Sequence, residues 1–259
     1  FQHIVKYQRL DELQEKIQHF STRVLKSDCL DLPEKVYTKR SVSLTPEQLK
    51  AYTEMKKAAI TFFEENVMTA ASVLTQMIRL HQIICGHVKT DDGEVKPIKS
   101  NRIKELLEVL EETDGKVIIW AVYRYDIQEI ERTLGEKYGK ESVATYYGDT
   151  KDSIRQSIVD RFMDADDPLR FFVGNPKTGG YGLTLTSSHT VVYYSNDYSL
   201  EVRLQSEDRA HRIGQTSKVT YVDLMADHTI DEKIVKALNA KIDLASQVMG
   251  EDPKKILFG

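Results

Sequence analysis

Cysteine is scarce in this chain of 259 residues, with Cys29 and Cys85 the only two. Two thiols exclude a disulfide framework and a zinc site built from four thiolates. Proline is also scarce, at 6 residues, and no apolar run approaches the length of a membrane span. The longest strongly apolar stretch, residues 117–122 (VIIWAV), has the length of a buried strand. No secretory leader opens the chain, and a start at Phe1 rather than Met points to a fragment of something longer. There is no large excess of either charge, since 36 Lys+Arg face 40 Asp+Glu for a net charge of −4. Residues 1–100 hold 15 basic and 13 acidic side chains, a net +2, which leaves −6 for the rest. That balance argues against capture of DNA by bulk charge. It leaves open local phosphate contacts from backbone amides, helix N-termini and a few side chains. Neither an internal repeat nor a low-complexity segment is present.

What is there divides near residue 100. Residues 1–88 read as helices with few strand signals. Thr45-Pro46-Glu47-Gln48 supplies an N-cap, a proline at the first helical position and a glutamine at the third. The helix runs to about residue 66 and continues through 67–85, with Val73, Met77, Leu80 and Ile84 on one stripe. Residues 86–100 read as loop, punctuated by Gly86, Gly93 and Pro97. Beyond 100 the pattern alternates. Helices are expected over 101–112, 126–138, 152–163 and 199–212, and strands over 116–123, 143–147, 169–174, 190–194 and 218–225. Thr229-Ile230-Asp231-Glu232 reads as a capping box opening a long last helix. Strands separated by helix-length segments mean an α/β fold, a parallel sheet with helices on both faces preceded by a helical segment.

In such a sheet, chemistry lies beyond the carboxyl ends of the strands. Two segments are expected there: the glycine-rich stretch 174–183 and the helix 199–212. On that helix Gln205, Arg209 and Arg212 share one face, and Asp208 stands four residues before Arg212, placed to hold its guanidinium. A solvated charged face is the bland explanation. Two convergent arginines with a glutamine suit a phosphate gathering negative charge. His211, between them, reads as a residue that orders the helix. Cys85-Gly86-His87 has no further metal ligands nearby in sequence. Trp120 reads as core, and Arg124 and Tyr125, just past a strand, suit either nucleic-acid backbone or structure equally.

The string 205–215 (QSEDRAHRIGQ) resembles the sixth helicase motif of the Swi/Snf-like branch of superfamily 2, matching every specified position of Q-x-x-D-R-x-H-R-x-G-Q. Lys177, Gly179, Gly180, Gly182, Leu183, Leu185 and Thr186 resemble the fifth motif of that family. Residues 120–123 resemble its fourth motif, and Tyr147-Gly148-Asp149-Thr150 with Arg155 and Phe162 resembles its Y-x-G-x-(T/S)…R…F segment. Upstream, Leu32-Pro33-Glu34-Lys35, Leu44-Thr45-Pro46-Glu47-Gln48 and 80–85 (LHQIIC) resemble the helical linker between two motor lobes. The likeness covers nearly the whole chain in the expected order. It departs at Tyr198-Ser199-Leu200, where many members have Trp-Asn-Pro, at Ser195 for a usual Asp, and at Thr178 for a usual Ala. These departures fit a divergent, prokaryotic or viral, branch.

The resemblance implies residues 1–100 as a helical linker or protrusion and 101–259 as a second RecA-like lobe ending in a long helix. It implies the carboxyl-terminal half of an ATP-dependent translocase on double-stranded DNA, inactive without its first lobe. Arg209 and Arg212 would be arginine fingers, and Gly180, Gly182, Gln205 and Asp208 nucleotide-binding residues. Glycines at 180 and 182 would let the backbone approach a sugar or phosphate closely. Lys177, Thr178 and Arg124 would contact DNA. ATP and its Mg2+ would be held by the first lobe, because no P-loop is present: Gly180-Tyr181 stands where Lys-Ser/Thr is required. Asp11-Glu12-Leu13-Gln14 lacks an apolar strand before it and reads as helix surface rather than a magnesium motif. The expected protein is an intracellular monomer, cytoplasmic if prokaryotic or viral and nuclear if eukaryotic, with no membrane. Two other readings stay open: a lobe of an RNA or single-strand helicase, and a non-catalytic RecA-like module that binds protein.

Overall fold

The computed structural model describes residues 8–22, 29–64, 70–90, 92–179 and 182–249. Its centre is β4 (Lys116–Trp120), which alternates in side-chain direction but not in polarity. Val117 and Ile119 join one apolar cluster, Ile118 and Trp120 another on the opposite face, and all four are fully buried. A strand apolar on both sides requires helices on both sides. α4 (Arg102–Glu111) and α5 (Arg124–Tyr138) cover the first face through Leu106, Leu110, Ile127, Ile130 and Leu134. α6 (Asp152–Met163) covers the second through Ile158, Val159 and Phe162.

β5 (Val143–Tyr146), β6 (Phe171–Gly174), β7 (Ser188–Tyr193) and β8 (Val219–Met225) complete the expected set. All pairings in the main sheet are parallel, in the order β1-β8-β7-β4-β6-β5. The strand at one edge, β1 (Lys35–Ser41), lies in the region read as helical, and it pairs with all seven residues of β8. Its sequence, KVYTKRS, carries too few apolar residues to announce itself, because an edge strand is buried only in part.

Between β1 and α4 stands a helical layer. α1 (Leu10–Gln18), which precedes β1 and includes Asp11-Glu12-Leu13-Gln14, has no buried residue. α2 (Pro46–Glu64) opens with the expected capping box: the Gln48 N–H donates to Thr45 Oγ1 at 3.2 Å and the Thr45 N–H to Gln48 Oε1 at 3.2 Å. Gln48 also donates to the Ile83 and Ile84 carbonyls, at 2.8 and 3.1 Å, at the end of α3 (Ala70–Cys85). α2 and α3 pack on each other, so they are two helices and not one continuing through 85. The expected loop at 86–100 contains a small antiparallel hairpin, β2 (His87–Lys89) and β3 (Val95–Pro97).

The fourth expected helix is shorter than its sequence suggests. α7 (Leu200–Glu207) stops before Asp208, and residues 208–214 form a turn that closes on Gly214 at φ 100°. The C-cap, Asp208, is still right-handed, and the left-handed Gly214 lets the chain reverse at the far end of the turn. α8 (Ile230–Met249) follows β8 and packs on the α2–α3 layer through Ile230, Ile234 and Leu238.

Gly174 and Gly179 serve packing. A Cβ at Gly179 would stand 2.6 and 2.7 Å from the Trp120 ring, and one at Gly174 would stand 2.8 Å from it. Gly179→Ala should therefore cost about 1–3 kcal/mol as an overpacked core position. Urea denaturation of the purified domain measures this, and a change below a few tenths of a kcal/mol contradicts it.

Candidate phosphate and nucleic-acid site

The expected site residues fall into two groups at opposite ends of α7. The first is at the carboxyl ends of the strands. After β6, Asn175 accepts from the Lys177 N–H at 2.9 Å and donates to the Val122 carbonyl at 2.8 Å. It thereby caps a single helical turn, Pro176–Gly179, and ties it to the end of β4. Lys177 is exposed on this turn and Thr178 half buried. Lys177 Nζ lies 2.7 Å from Asp197, which follows β7. On the neighbouring loops Arg124 pairs with Asp149 at 3.0 Å, both exposed. Cations at this rim are thus present but matched by carboxylates. The Arg124–Asp149 pair, open to water on both sides, is worth only about 0–1 kcal/mol, so a phosphate can replace that carboxylate at little cost.

The second group is the turn at 208–214. The strap that leads from the glycine stretch to β7 crosses the sheet face covered by α6, with Leu185 fully buried in that core. The Leu185 N–H donates to the Arg209 carbonyl at 2.9 Å, which zips strap to turn. Arg209 donates from Nε to the Gln205 carbonyl at 2.8 Å and from Nη1 to the Leu183 carbonyl at 3.2 Å. Arg212 donates from Nη1 to the same Leu183 carbonyl at 3.4 Å. The two guanidiniums converge on one oxygen, although they leave the backbone from a turn and not from one helical face. Burial, with the neighbouring Arg212 charge, lowers the Arg209 pKa against the opposing pull of Asp208. Among the described residues the hydrogen-bond partners of both guanidiniums are backbone carbonyls. Two cations that share one carbonyl oxygen, with no carboxylate in hydrogen-bond contact among the described residues, fit an anion with several oxygens.

The remaining candidates sort as follows. Gln205 donates to Glu201 at 3.0 Å, and its Oε1 is buried with no hydrogen-bond partner among the described residues. Asp208, expected to hold Arg212, places an oxygen 3.9 Å from Lys35 Nζ. Gly182 adopts φ 74°, so its glycine is required by the turn itself, and open space surrounds its Cα. Gly180 lies outside the described residues. His211 is buried and hydrogen-bonds through Nε2 to the Pro33 carbonyl at 2.7 Å, which is an ordering role. Gln215 holds the end of the turn, donating to the Ser188 and Ala210 carbonyls at 3.0 and 3.1 Å. Among the described residues no three His, Cys, Asp or Glu side chains gather as metal ligands.

Sequence reasoning missed Glu207. It is buried and receives Lys35 (3.3 Å), Tyr37 (2.6 Å) and Arg203 (2.7 Å). Arg203 in turn meets Asp223 at 2.5 Å and lies 3.5 Å from the centre of the Tyr193 ring. Burial and the Glu207 charge both push the Tyr37 phenol up. The one sequence signal was spacing: Arg203 and Glu207 stand four residues apart on α7.

Comparison with known proteins finds similar chains. Residues 99–214 match the helicase conserved C-terminal domain. Over 255 residues the chain is 29% identical to the putative ATP-dependent helicase/translocase YwqA of Bacillus subtilis, covering 93% of this chain and 27% of that protein. It is 28% identical over 256 residues to the SWI/SNF chromatin-remodeling complex subunit snf22 of Schizosaccharomyces pombe, covering 93% and 15% respectively. The Sulfolobus solfataricus SWI2/SNF2 ATPase core, solved in complex with dsDNA, superposes with a TM-score of 0.66 at 24% identity, covering 95% of this chain and 55% of that one. Residues 99–214 thus carry a helicase conserved C-terminal domain, and the chain as a whole is similar to ATP-dependent helicases and Swi2/Snf2 ATPases. It spans 27% and 15% of the length of the two curated relatives named.

The domain has the RecA-like lobe fold, and two of its departures from the usual motif, at Ser199 and Ser195, have structural roles. Ser199, within Tyr198-Ser199-Leu200, N-caps α7 by accepting from the Val202 N–H at 3.4 Å. Ser195 is buried and accepts from the Val122 N–H at 2.9 Å, holding the ends of β4 and β7 together.

Proposed function

We propose that this domain is the second motor lobe of a Swi2/Snf2-type, ATP-driven translocase on double-stranded DNA. The observation that carries the reading is the convergence of Arg209 and Arg212 on the Leu183 carbonyl, with backbone oxygens as their partners. A carbonyl oxygen is a weak substitute for a phosphate, so both arginines gain when a γ-phosphate arrives from a facing lobe. ATP supplies the phosphoryl group and a Mg2+ ion would come with it on the first lobe. The residues of this domain that would meet the nucleotide are Arg209, Arg212, Gly182, Asp208 and Gln205, whose Oε1 has no hydrogen-bond partner among the described residues, together with Gly180, which lies outside them. Closing of the two lobes is then favoured by nucleotide and relaxed by its loss. The similarity to a core solved with dsDNA and to ATP-dependent helicases supports this choice of substrates. The domain works as one monomeric motor with its first lobe, inside the cell, and by itself hydrolyses ATP at background rate.

Lys177, Thr178 and Arg124 are the proposed DNA contacts, at the rim formed by the strand ends. Lys177→Ala should weaken binding to duplexes of any sequence about equally, and should reduce the slope of log affinity against log salt by about 1. Fluorescence anisotropy of the complete protein on labelled duplex across a salt series reads both. An unchanged slope rejects Lys177 as a phosphate contact.

A further inference from the structure

We propose that Glu207 is a positioning residue for the two arginines, acting together with residues 33–37, on which the arginine turn rests. This rests on the finger role proposed for Arg209 and Arg212. The turn at 208–214 has no helix or strand of its own to fix it. Its place is set by polar contacts at both ends. On its near side Glu207 takes hydrogen bonds from Tyr37 at 2.6 Å, Lys35 at 3.3 Å and Arg203 at 2.7 Å. The Glu207 carbonyl accepts from the Tyr221 hydroxyl at 2.9 Å. Within the turn, His211 reaches the Pro33 carbonyl at 2.7 Å and Lys35 approaches Asp208 at 3.9 Å. Beyond it, the Val219 N–H donates to the Glu34 carbonyl at 3.2 Å, and Lys218 pairs with the Glu34 carboxylate at 2.7 Å.

Residues 33–37 thus contact the chain before, inside and after the arginine turn. The contacts of residues 33–37 are all long-range in sequence, so the turn's placement depends on this segment as well as on its local hydrogen bonds, such as those from the Ala210 and His211 N–H groups to the Glu207 carbonyl. Lys35 and Glu207 are both buried, which keeps the contacts stiff and shielded from water. A displacement of about 1 Å at a reacting centre can lower a rate about 10²-fold. The segment that enters the sheet at β1 is therefore a lever: its placement sets where the guanidiniums stand. Glu207 is the fulcrum, because its carboxylate gathers β1 through Tyr37 and Lys35 and α7 through Arg203.

The test uses the complete motor and steady-state, DNA-stimulated ATP hydrolysis. Tyr37→Phe removes one hydroxyl from Glu207 and keeps the ring that stacks on Tyr221 at 5.2 Å. It should lower kcat about 10-fold, with the KM for ATP and the Kd for duplex within about two-fold of the parent. Glu207→Gln should lower kcat further, and if it fails to fold, Tyr37→Phe alone decides. Lys116→Met is the control, since that amine donates to the carbonyls of Arg161, Asp164 and Asp167, away from the turn. A kcat for Tyr37→Phe equal to the parent's overturns the proposal. So does a Lys116→Met loss of kcat as large as that of Tyr37→Phe, which would reduce the effect to general loosening. If Arg212→Ala itself leaves hydrolysis unchanged, the finger role fails first; if it abolishes hydrolysis while Tyr37→Phe does nothing, only the lever is rejected.

Discussion

Arg212→Ala in the complete motor is expected to lower DNA-stimulated ATP hydrolysis by about 10³–10⁵, while duplex affinity stays within about two-fold. The size follows from what a guanidinium does in phosphoryl transfer: it stabilises charge that builds up in the transition state. That range corresponds to about 4–7 kcal/mol, several times the value of an exposed ion pair. Arg212 is exposed at the turn and touches Leu183 O at 3.4 Å, so its removal disturbs little of the fold. Arg209 is half buried and bonded to two carbonyls, so its alanine variant should lose hydrolysis with some stability as well. Single-turnover hydrolysis with saturating duplex is the measurement. A rate for Arg212→Ala within three-fold of the parent would remove the basis for reading this turn as a phosphate site.

Asp231→Asn is expected to destabilise the domain by about 3–5 kcal/mol, because it strands a buried cation. Arg102 is fully buried under the helical layer. It pairs with Asp231 and donates to the carbonyls of Tyr194 (2.5 Å), Leu224 (3.2 Å) and Ile84 (3.3 Å). Asp231 takes the Ala226 N–H at 2.9 Å, and His81 lies 3.5 Å away. This one pair therefore ties the ends of α3, β7 and β8 to the start of α8. Burial would raise the Asp231 carboxyl, but the Arg102 charge and then His81 and the Ala226 amide outweigh it, taking it from 3.8 down to about 2. A carboxyl held lower in the folded state stabilises fully above its unfolded pKa, and that stability is lost as pH falls through the folded value. The contribution should accordingly fade between about pH 4 and pH 2, and Asp231→Asn should lack that part of the acid transition. Urea titrations at a series of pH values read both effects. A loss below 1 kcal/mol at pH 7 contradicts the account. Adding Arg102→Met to Asp231→Asn should recover part of the loss, since no isolated charge remains.

How far the sequence carried depended on whether an element's burial is local or borrowed. β4 and β6 are apolar on both faces and read correctly as strands, because burial on two sides leaves no ambiguity of period. The capping box at Thr45 likewise formed as expected, since its contacts span three residues. β1 escaped notice because only a seven-residue partner at 219–225 makes it a strand. The helix 199–212 was overextended for a related reason. Its sequence continues in helical spacing, but Gly214 and the long-range hold of Gln215 and His211 turn the chain away. Arginine identity and spacing singled out Arg209 and Arg212 as a convergent pair, yet their meeting point, a backbone oxygen of Leu183, carries no side-chain signature. Glu207 was hidden in plain charge: an acid in a charged string reads as solvated until Lys35 and Tyr37 arrive from over 160 residues away.

Placing β1 beside β8 has a consequence for how this domain must be cut and how it comes together. The matched helicase region, residues 99–214, stops short of both strands. A piece trimmed to those limits would leave β7 as a raw border, with Val191 and Val192 beside unsatisfied amide and carbonyl groups, and such borders recruit other chains. Because the earliest strand closes against the last, the sheet is finished only when both termini of the domain have been made. Refolding should be slow for its size, governed by that late closure rather than by the rapid local helices.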